Sequence, residues 1–351
     1  MKKVIALILC CMVVLTGCSH DLSETKVVLT TGFGSDEVFR IDDVICTLPE
    51  LMVYLVNMQN EYENSFGSEI WNVDVGDESL ADEIKNNCLA RIAQIKSMNL
   101  LAEQMEIVLD TDEEKKAASA AKEYYESLNA AEIAAMGNVT QEDIENLYKE
   151  YALAEKLYQY IIKDINPEIS DDEARTITVE QIYLKTYSID KDGNKVAYSD
   201  EQKAEVYNTA KSILYQINAG SSFEELMEQY NEASEGTISF GKGDKEESYE
   251  EAAFNLEKGE VSGVVELSDG YVILQCVSTF NKEETEANKV KIVEERKKEV
   301  FGEQYDDFVE TLTRELNINL WEQITLPDDE EVVTDSFFDV YEKYFASEFT
   351  S

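Results

Sequence analysis

At about Thr176 the apolar residues of this 351-residue chain change their period, and that change limits what each half can fold into. Before it, over residues 42–166, hydrophobic side chains recur every three or four positions, the spacing of a helix face. Val38 to Ile41 is a short β-prone stretch ahead of this region. Thr47-Leu-Pro-Glu50 is a capping box with proline in the first turn, and it opens a helix through about Phe66. Leu51, Tyr54, Leu55 and Met58 make its stripe. A second helix spans about Ser79 to Met105 along Ile84, Cys88, Ile92, Ile95 and Leu100. Thr111-Asp-Glu-Glu114 reads as another capping box, opening an alanine-rich helix to about Leu128. Thr140 caps a fourth helix through Ile144, Leu147, Tyr151, Ala154, Tyr158 and Ile161, which stops at Asn166-Pro167. Residues 41–168 are therefore expected to form an all-helical domain.

From Ile177 to Leu184 the residues are β-branched and aromatic, a strand by propensity and pattern. Asp192-Gly193-Asn194 marks a turn. Asp190, Asp192 and Asn194 hint at a calcium loop, but Gly193 is out of place for an EF-hand, and turn chemistry accounts for them better. Ser199 caps a helix to Asn218, and Ser222 caps a shorter one from Phe223 to Tyr230. A strand near 237–240, a helix near 249–256, and strands near 264–265 and 271–279 complete the order βααβαββ, one α+β domain over 172–281.

Beyond Asn281 a charged helix is expected to about Leu316, then an alternating strand from Asn317 to Leu326. The helix has no place in a βααβαββ body, so 282–326 is expected to pack on the N-terminal helices. In the acidic tail, 327–351, Phe337, Phe338, Tyr341, Tyr344 and Phe345 fall on one helical face, a stripe expected to dock on the protein's own body.

The α+β segment carries several motifs in combination. They are Gln181-Ile-Tyr-Leu184, Ala219-Gly-Ser-Ser-Phe-Glu-Glu-Leu226, Phe240-Gly-Lys-Gly243, Ala252-Ala-Phe254, Leu256-Glu-Lys-Gly-Glu-Val-Ser262 and Gly270-Tyr-Val-Ile-Leu274. Together they resemble the parvulin family of peptidyl-prolyl isomerases. With helical segments before and after, the layout is similar to extracytoplasmic foldases of the PrsA and SurA type. There the two flanks form one chaperone module around the isomerase domain. The resemblance implies clients that are unfolded or partly folded exported polypeptides, and no cofactor. Rotation about an X–Pro bond takes tens to hundreds of seconds unaided, and an apolar proline pocket beside a polar cluster accelerates it. Parvulins build that cluster from two histidines, a Cys or Asp, and hydroxyls. Here Gln181 stands at the first histidine position, Val272 at the second, and Ala233 near the Cys/Asp position. Ile238 and Tyr249 match walls of the proline pocket, and Lys245 replaces a usual apolar residue. These departures imply weak or lost isomerase activity, and leave open a purely non-catalytic chaperone that keeps the domain for peptide binding.

The N-terminus has the order of a secretory signal. Lys2 and Lys3 precede the apolar run Val4 to Leu15, and Leu15-Thr16-Gly17-Cys18 follows. Twelve apolar residues are too few to span a bilayer. The segment resembles bacterial lipoprotein signals, which implies cleavage after residue 17 and a diacylated Cys18 holding the protein to the outer face of the plasma membrane. Two acyl chains suffice for stable anchoring. Residues 18–40 then read as lipidated N-terminus and spacer.

Loss of Lys2 and Lys3 leaves 28 basic against 74 acidic residues, a net charge near −46. Nucleic acid and anionic lipid would be repelled by it. Of the six cysteines, Cys10 and Cys11 leave with the signal and Cys46, Cys88 and Cys276 stand far apart without a C-x-x-C, so they read as small buried hydrophobes. His20 is the only histidine, which excludes a histidine-built metal site or catalytic triad in the folded body.

Overall fold

The computed structural model describes residues 32–72, 74–75, 78–191 and 193–346. The signal segment, Cys18 and His20 lie outside the described residues, as does Asp192. Among the described residues no helix is long and apolar enough to cross a membrane. The described residues divide into two compact units: unit 1 takes those within 32–164 and 298–346, and unit 2 those within 165–297.

Unit 1 begins with β1 (Glu37–Ile41) and β2 (Val44–Thr47), an antiparallel pair. Thr47 then starts α1 (Leu48–Phe66), where the Glu50 carboxylate accepts from the Thr47 N–H at 2.6 Å, as the capping-box reading expects. Every residue from Leu51 to Asn60 is buried, so α1 is the central post of the unit. Two short strands, β3 (Asp74–Val75) and β4 (Glu78–Ser79), lead to α2 (Leu80–Gln104), capped by the Ser79 hydroxyl. Then come α3 (Thr111–Ser127), α4 (Ala130–Ala135) and α5 (Gln141–Ile162).

The cap of α3 is Asp110, with Glu113 as its reciprocal partner, one residue earlier than the Thr111 reading. The Asp110 carboxylate accepts from the N–H groups of both Asp112 and Glu113, a charge-assisted pairing that a threonine hydroxyl does not match.

Unit 2 is built on a four-stranded sheet, antiparallel throughout, in which the strands lie in the order 237–240, 177–185, 270–278, 265–267. Its central strand β5 (Ile177–Lys185) is followed by a hairpin, β6 (Tyr187–Ile189) and β7 (Lys195–Ala197), that the order βααβαββ did not contain. The expected turn at Gly193 closes it, with Asp190 Oδ1 accepting from the Asn194 N–H. Then come α6 (Asp200–Asn218), α7 (Phe223–Tyr230), β8 (Thr237–Phe240), α8 (Glu247–Phe254), β9 (Val265–Leu267) and β10 (Gly270–Ser278). Alternation along β5 and β10 sends Ile182, Leu184, Tyr271 and Ile273 to α6 and α7, where they meet Ala210, Ile213, Phe223 and Leu226. Val179, Val272 and Leu274 face the other way and pack with Phe240, Tyr249 and Ala253. The Gly-Glu-Val-Ser motif stitches the edge of β10: the Ser262 N–H donates to Leu274 O, and the Ser262 hydroxyl accepts from the Leu274 N–H.

The chain leaves unit 2 along α9 (Lys282–Val309), beginning beside the strand at which it came in. The Asn281 N–H donates to Thr176 O, and the buried Thr285 hydroxyl accepts from the Thr176 N–H. In unit 1, β11 (Arg314–Leu316) pairs with β1, making a three-stranded sheet in which only β1 matches an expected β-prone stretch; β2 lies in the segment read as all-helical, and β11 replaces the end of a charged helix that stops at Val309 rather than near Leu316. The strand expected over 317–326 is instead α10 (Ile318–Trp321), because the Asn317 side chain caps a single turn there. After an irregular stretch α11 (Phe337–Phe345) closes unit 1, burying Phe337, Tyr341 and Phe345. The aromatic stripe docks on the protein itself.

Candidate functional site

The site is the face of the unit 2 sheet that looks toward α8. Gln181 sits at its middle on β5, opposite Leu274, and is 8% exposed. A buried amide must find partners or cost stability, and this one has two. Its Nε2 donates to Glu235 O at 2.9 Å, and its Oε1 accepts from the Tyr249 hydroxyl at 3.0 Å. Tyr249 is itself buried, with its ring edge-on to Phe240 at 5.4 Å, and burial pushes its phenol above the usual tyrosine range. Val272, opposite Tyr183, is fully buried in the same apolar cluster. Ile238 pairs with Val179 and packs on the cluster's edge.

Thus Gln181, Val272, Ile238 and Tyr249 are brought together. Ala233 lies in the neighbouring loop and offers only main-chain groups, its N–H donating to Asn231 Oδ1 and its carbonyl accepting from Asn231 Nδ2. Lys245 is exposed on the loop before α8 and joins no pocket wall; its N–H and that of Gly243 donate to the Glu250 carboxylate.

Sequence reasoning missed four residues that organise this face, Asn231, Tyr183, Asp269 and Lys195. Asn231 accepts from the Tyr183 N–H at 2.9 Å and ties the 231–235 loop to β5. The Tyr183 hydroxyl donates to the Asp269 carboxylate at 2.7 Å, and Lys195 pairs with the same carboxylate, which is held below the usual range first by the Lys195 hydrogen bond and then by that of Tyr183. The only signal was Gly270. A Cβ there would come within 2.5 Å of the Tyr183 ring and 2.6 Å of Leu184 O, so only glycine lets the ring cross.

Chemically, the floor is an apolar cluster with one amide–phenol pair whose polar atoms are already engaged with each other. Neither member titrates near neutral pH, so the pair supplies no proton-transfer group of the kind a histidine would bring. Replacing Tyr249 by phenylalanine strands Gln181 Oε1 without its donor. The expected loss is about 1–2 kcal/mol in unit 2, read from faster hydrogen exchange of the β5 and β10 amides. Unchanged exchange would mean the pair contributes nothing.

A two-faced antiparallel sheet with this element order is a parvulin-type fold. The rotamase family profile, described as a PPIC-type PPIASE domain, matches residues 189–278, beginning after Gln181 and covering the other site positions. A foldase protein PrsA from Halalkalibacterium halodurans is 32% identical over 142 residues, 39% of this chain and 40% of that protein. A foldase protein PrsA from Caldanaerobacter subterraneus is 24% identical over 263 residues, 72% of this chain and 78% of its own. The crystal structure of the peptidylprolyl isomerase PrsA from Bacillus cereus aligns over 77% of this chain and 97% of that one, at 20% identity and TM-score 0.38. The chain thus carries a PPIC-type peptidyl-prolyl isomerase domain between helical segments, and PrsA foldases are its homologues.

Proposed function

We propose that this protein is an extracytoplasmic folding factor, lipid-anchored through Cys18, that binds unfolded exported polypeptides and whose isomerase activity is weak or lost. The observation that carries this reading is the Gln181–Tyr249 hydrogen bond beside a buried Val272, where the family places its histidine pair. It favours the non-catalytic variant, in which the parvulin domain serves to bind peptide. In this reading 41–168 and 282–326 form the chaperone module, 172–281 the isomerase-type domain and 327–351 the tail. Substrate contact falls first to Ile238, half-buried at the edge of the apolar cluster, with Tyr249 buried within it and Lys245 exposed on the loop before α8. The net charge of −44 suits neutral or basic clients and disfavours nucleic acid.

The test is aggregation of a denatured, export-competent client diluted into buffer with and without the mature chain. Suppression at stoichiometric amounts is expected, and no effect at any ratio would remove the folding role. For the anchor, Cys18→Ser should move the protein from the membrane fraction to the medium; retention in the membrane would contradict lipidation at that residue.

A further inference from the structure

Between α10 and α11 the chain runs without regular structure, and its main chain is held by side chains of the unit 1 helices. Gln59 Nε2 donates to Pro327 O at 2.9 Å and Asn60 Nδ2 to Thr334 O at 2.8 Å. Asn129 Nδ2 donates to Glu331 O, and the Val333 N–H donates to Glu132 Oε1. At the start of α11 the Phe337 N–H donates to Asn57 Oδ1 and the Tyr148 hydroxyl to Phe337 O, both bonds buried. None of these contacts reads a side chain. They are contacts that a receptor can make to a polypeptide main chain whatever its sequence.

Side chains of the tail are held as well, Asp335 by Asn64 and the Tyr341 and Tyr344 hydroxyls by Glu155 and Glu123, and among the most enclosed is Phe337. The Phe337 ring is stacked on Tyr148 at 4.5 Å and closed in by Tyr124 and Tyr54 at 5.4 and 5.5 Å. Beside it the Arg91 guanidinium lies 4.3 Å from the Phe338 ring centroid.

The occupant is a poor electrostatic match for its seat. Residues 327–346 carry seven carboxylates and one lysine. The facing helices add Glu61 and Glu155, both pushed above the usual carboxylate range chiefly by burial; Arg91 opposes the shift at both and the Tyr341 hydroxyl opposes it at Glu155, while the tail's Asp339 and Asp335, or Glu342, add to it. The Lys343 link to Glu123 is on the exposed rim, where ion pairs are weak. A neutral or basic segment with the same aromatic anchor would make the same main-chain bonds without that repulsion. What favours the tail is its tether, which raises its effective concentration.

We propose that this groove is a polypeptide-binding site and that residues 327–345 are its displaceable resident, holding the place of a non-acidic unfolded segment that presents an aromatic residue. This rests on the client-binding reading above. The test uses the mature full chain and a labelled peptide of residues 327–346 with each Asp and Glu replaced by its amide. Binding about tenfold tighter than that of the unaltered peptide is expected, and loss of binding when the peptide carries Phe337→Ala. In hydrogen exchange, saturating peptide should lower protection of the 332–345 amides at least about tenfold while α1 stays protected.

A Phe337→Ala chain should bind the amide peptide more tightly still, and the exchange result on the unsubstituted chain stands whether or not that variant folds. No peptide binding, or exchange of 332–345 only together with α1, would overturn the proposal, as would a dimer that trades tails between copies. Peptide binding without suppression of client aggregation would remove the folding role and leave the groove. Suppression without peptide binding would remove the groove alone.

Discussion

Replacing Lys96 by methionine is expected to lower the stability of unit 1 by about 3–5 kcal/mol. Lys96 lies on α2 with its ammonium buried, 3.0 Å from Glu50 on α1 and 2.9 Å from Glu150 on α5. Burial alone would depress its pKa, yet the two carboxylates more than reverse this and hold it protonated. Methionine fills similar space, so the loss is electrostatic. Glu50 and Glu150 are left facing each other in a poorly solvated pocket, and burial already pushes the Glu150 carboxyl up. Adding Glu150→Met should restore about half of the loss, because Glu50 keeps its capping bond to Thr47. Both tryptophans, Trp71 and Trp321, belong to unit 1, so denaturant unfolding followed by tryptophan fluorescence reports that unit alone. A double variant no better than Lys96→Met would show that packing, not charge, is lost.

The second large effect is a pH dependence centred on Glu155. Its carboxyl accepts from the Tyr341 hydroxyl at 2.7 Å, and burial pushes it up to about 7, helped by Glu342 and opposed by the Tyr341 bond and Arg91. A carboxyl whose folded pKa is raised favours the folded state while both states hold the proton. Below about 4.5, the ordinary value, that contribution is fully present. As pH rises, the unfolded chain gives up its proton first, so the contribution fades and is gone above about 7. Between pH 5 and pH 8 unit 1 should lose on the order of 2–3 kcal/mol from this group. Glu155→Gln keeps the acceptor for Tyr341 and should flatten that part of the profile. An identical pH dependence in wild type and Glu155→Gln would assign the effect to the other acids.

Much of the fold was legible because its signals are local. The caps at Thr47, Ser79, Thr140, Ser199 and Ser222 stand where polar residues precede apolar stripes. The strands at 177–185 and 270–278 follow from β-branched runs. What sequence could not show was non-local pairing. β11 is a strand because β1 offers it an edge from the far end of the chain, and the alternation of Asn317 to Leu326 misled because it has no such partner. In the site, Gln181 and Val272 at the positions that the resemblance assigns to histidines could be read directly from the sequence. That Tyr249 turns its hydroxyl onto Gln181 could not, since 68 residues separate them and only the folded sheet sets their distance. The same holds for the tail: its stripe announced a docking helix, but the side chains that receive its backbone are scattered over α1, α4 and α5.

The most direct measurement is the cis-to-trans rate of a proline-containing peptide mixed with the mature chain, with binding followed in the same sample. The expected result is a peptide that binds while its isomerisation stays close to the uncatalysed tens to hundreds of seconds, with no dependence on pH between 6 and 8. Acceleration growing in proportion to protein concentration, and lost on disrupting the Gln181–Tyr249 pair, would contradict a site whose polar groups are spent on each other.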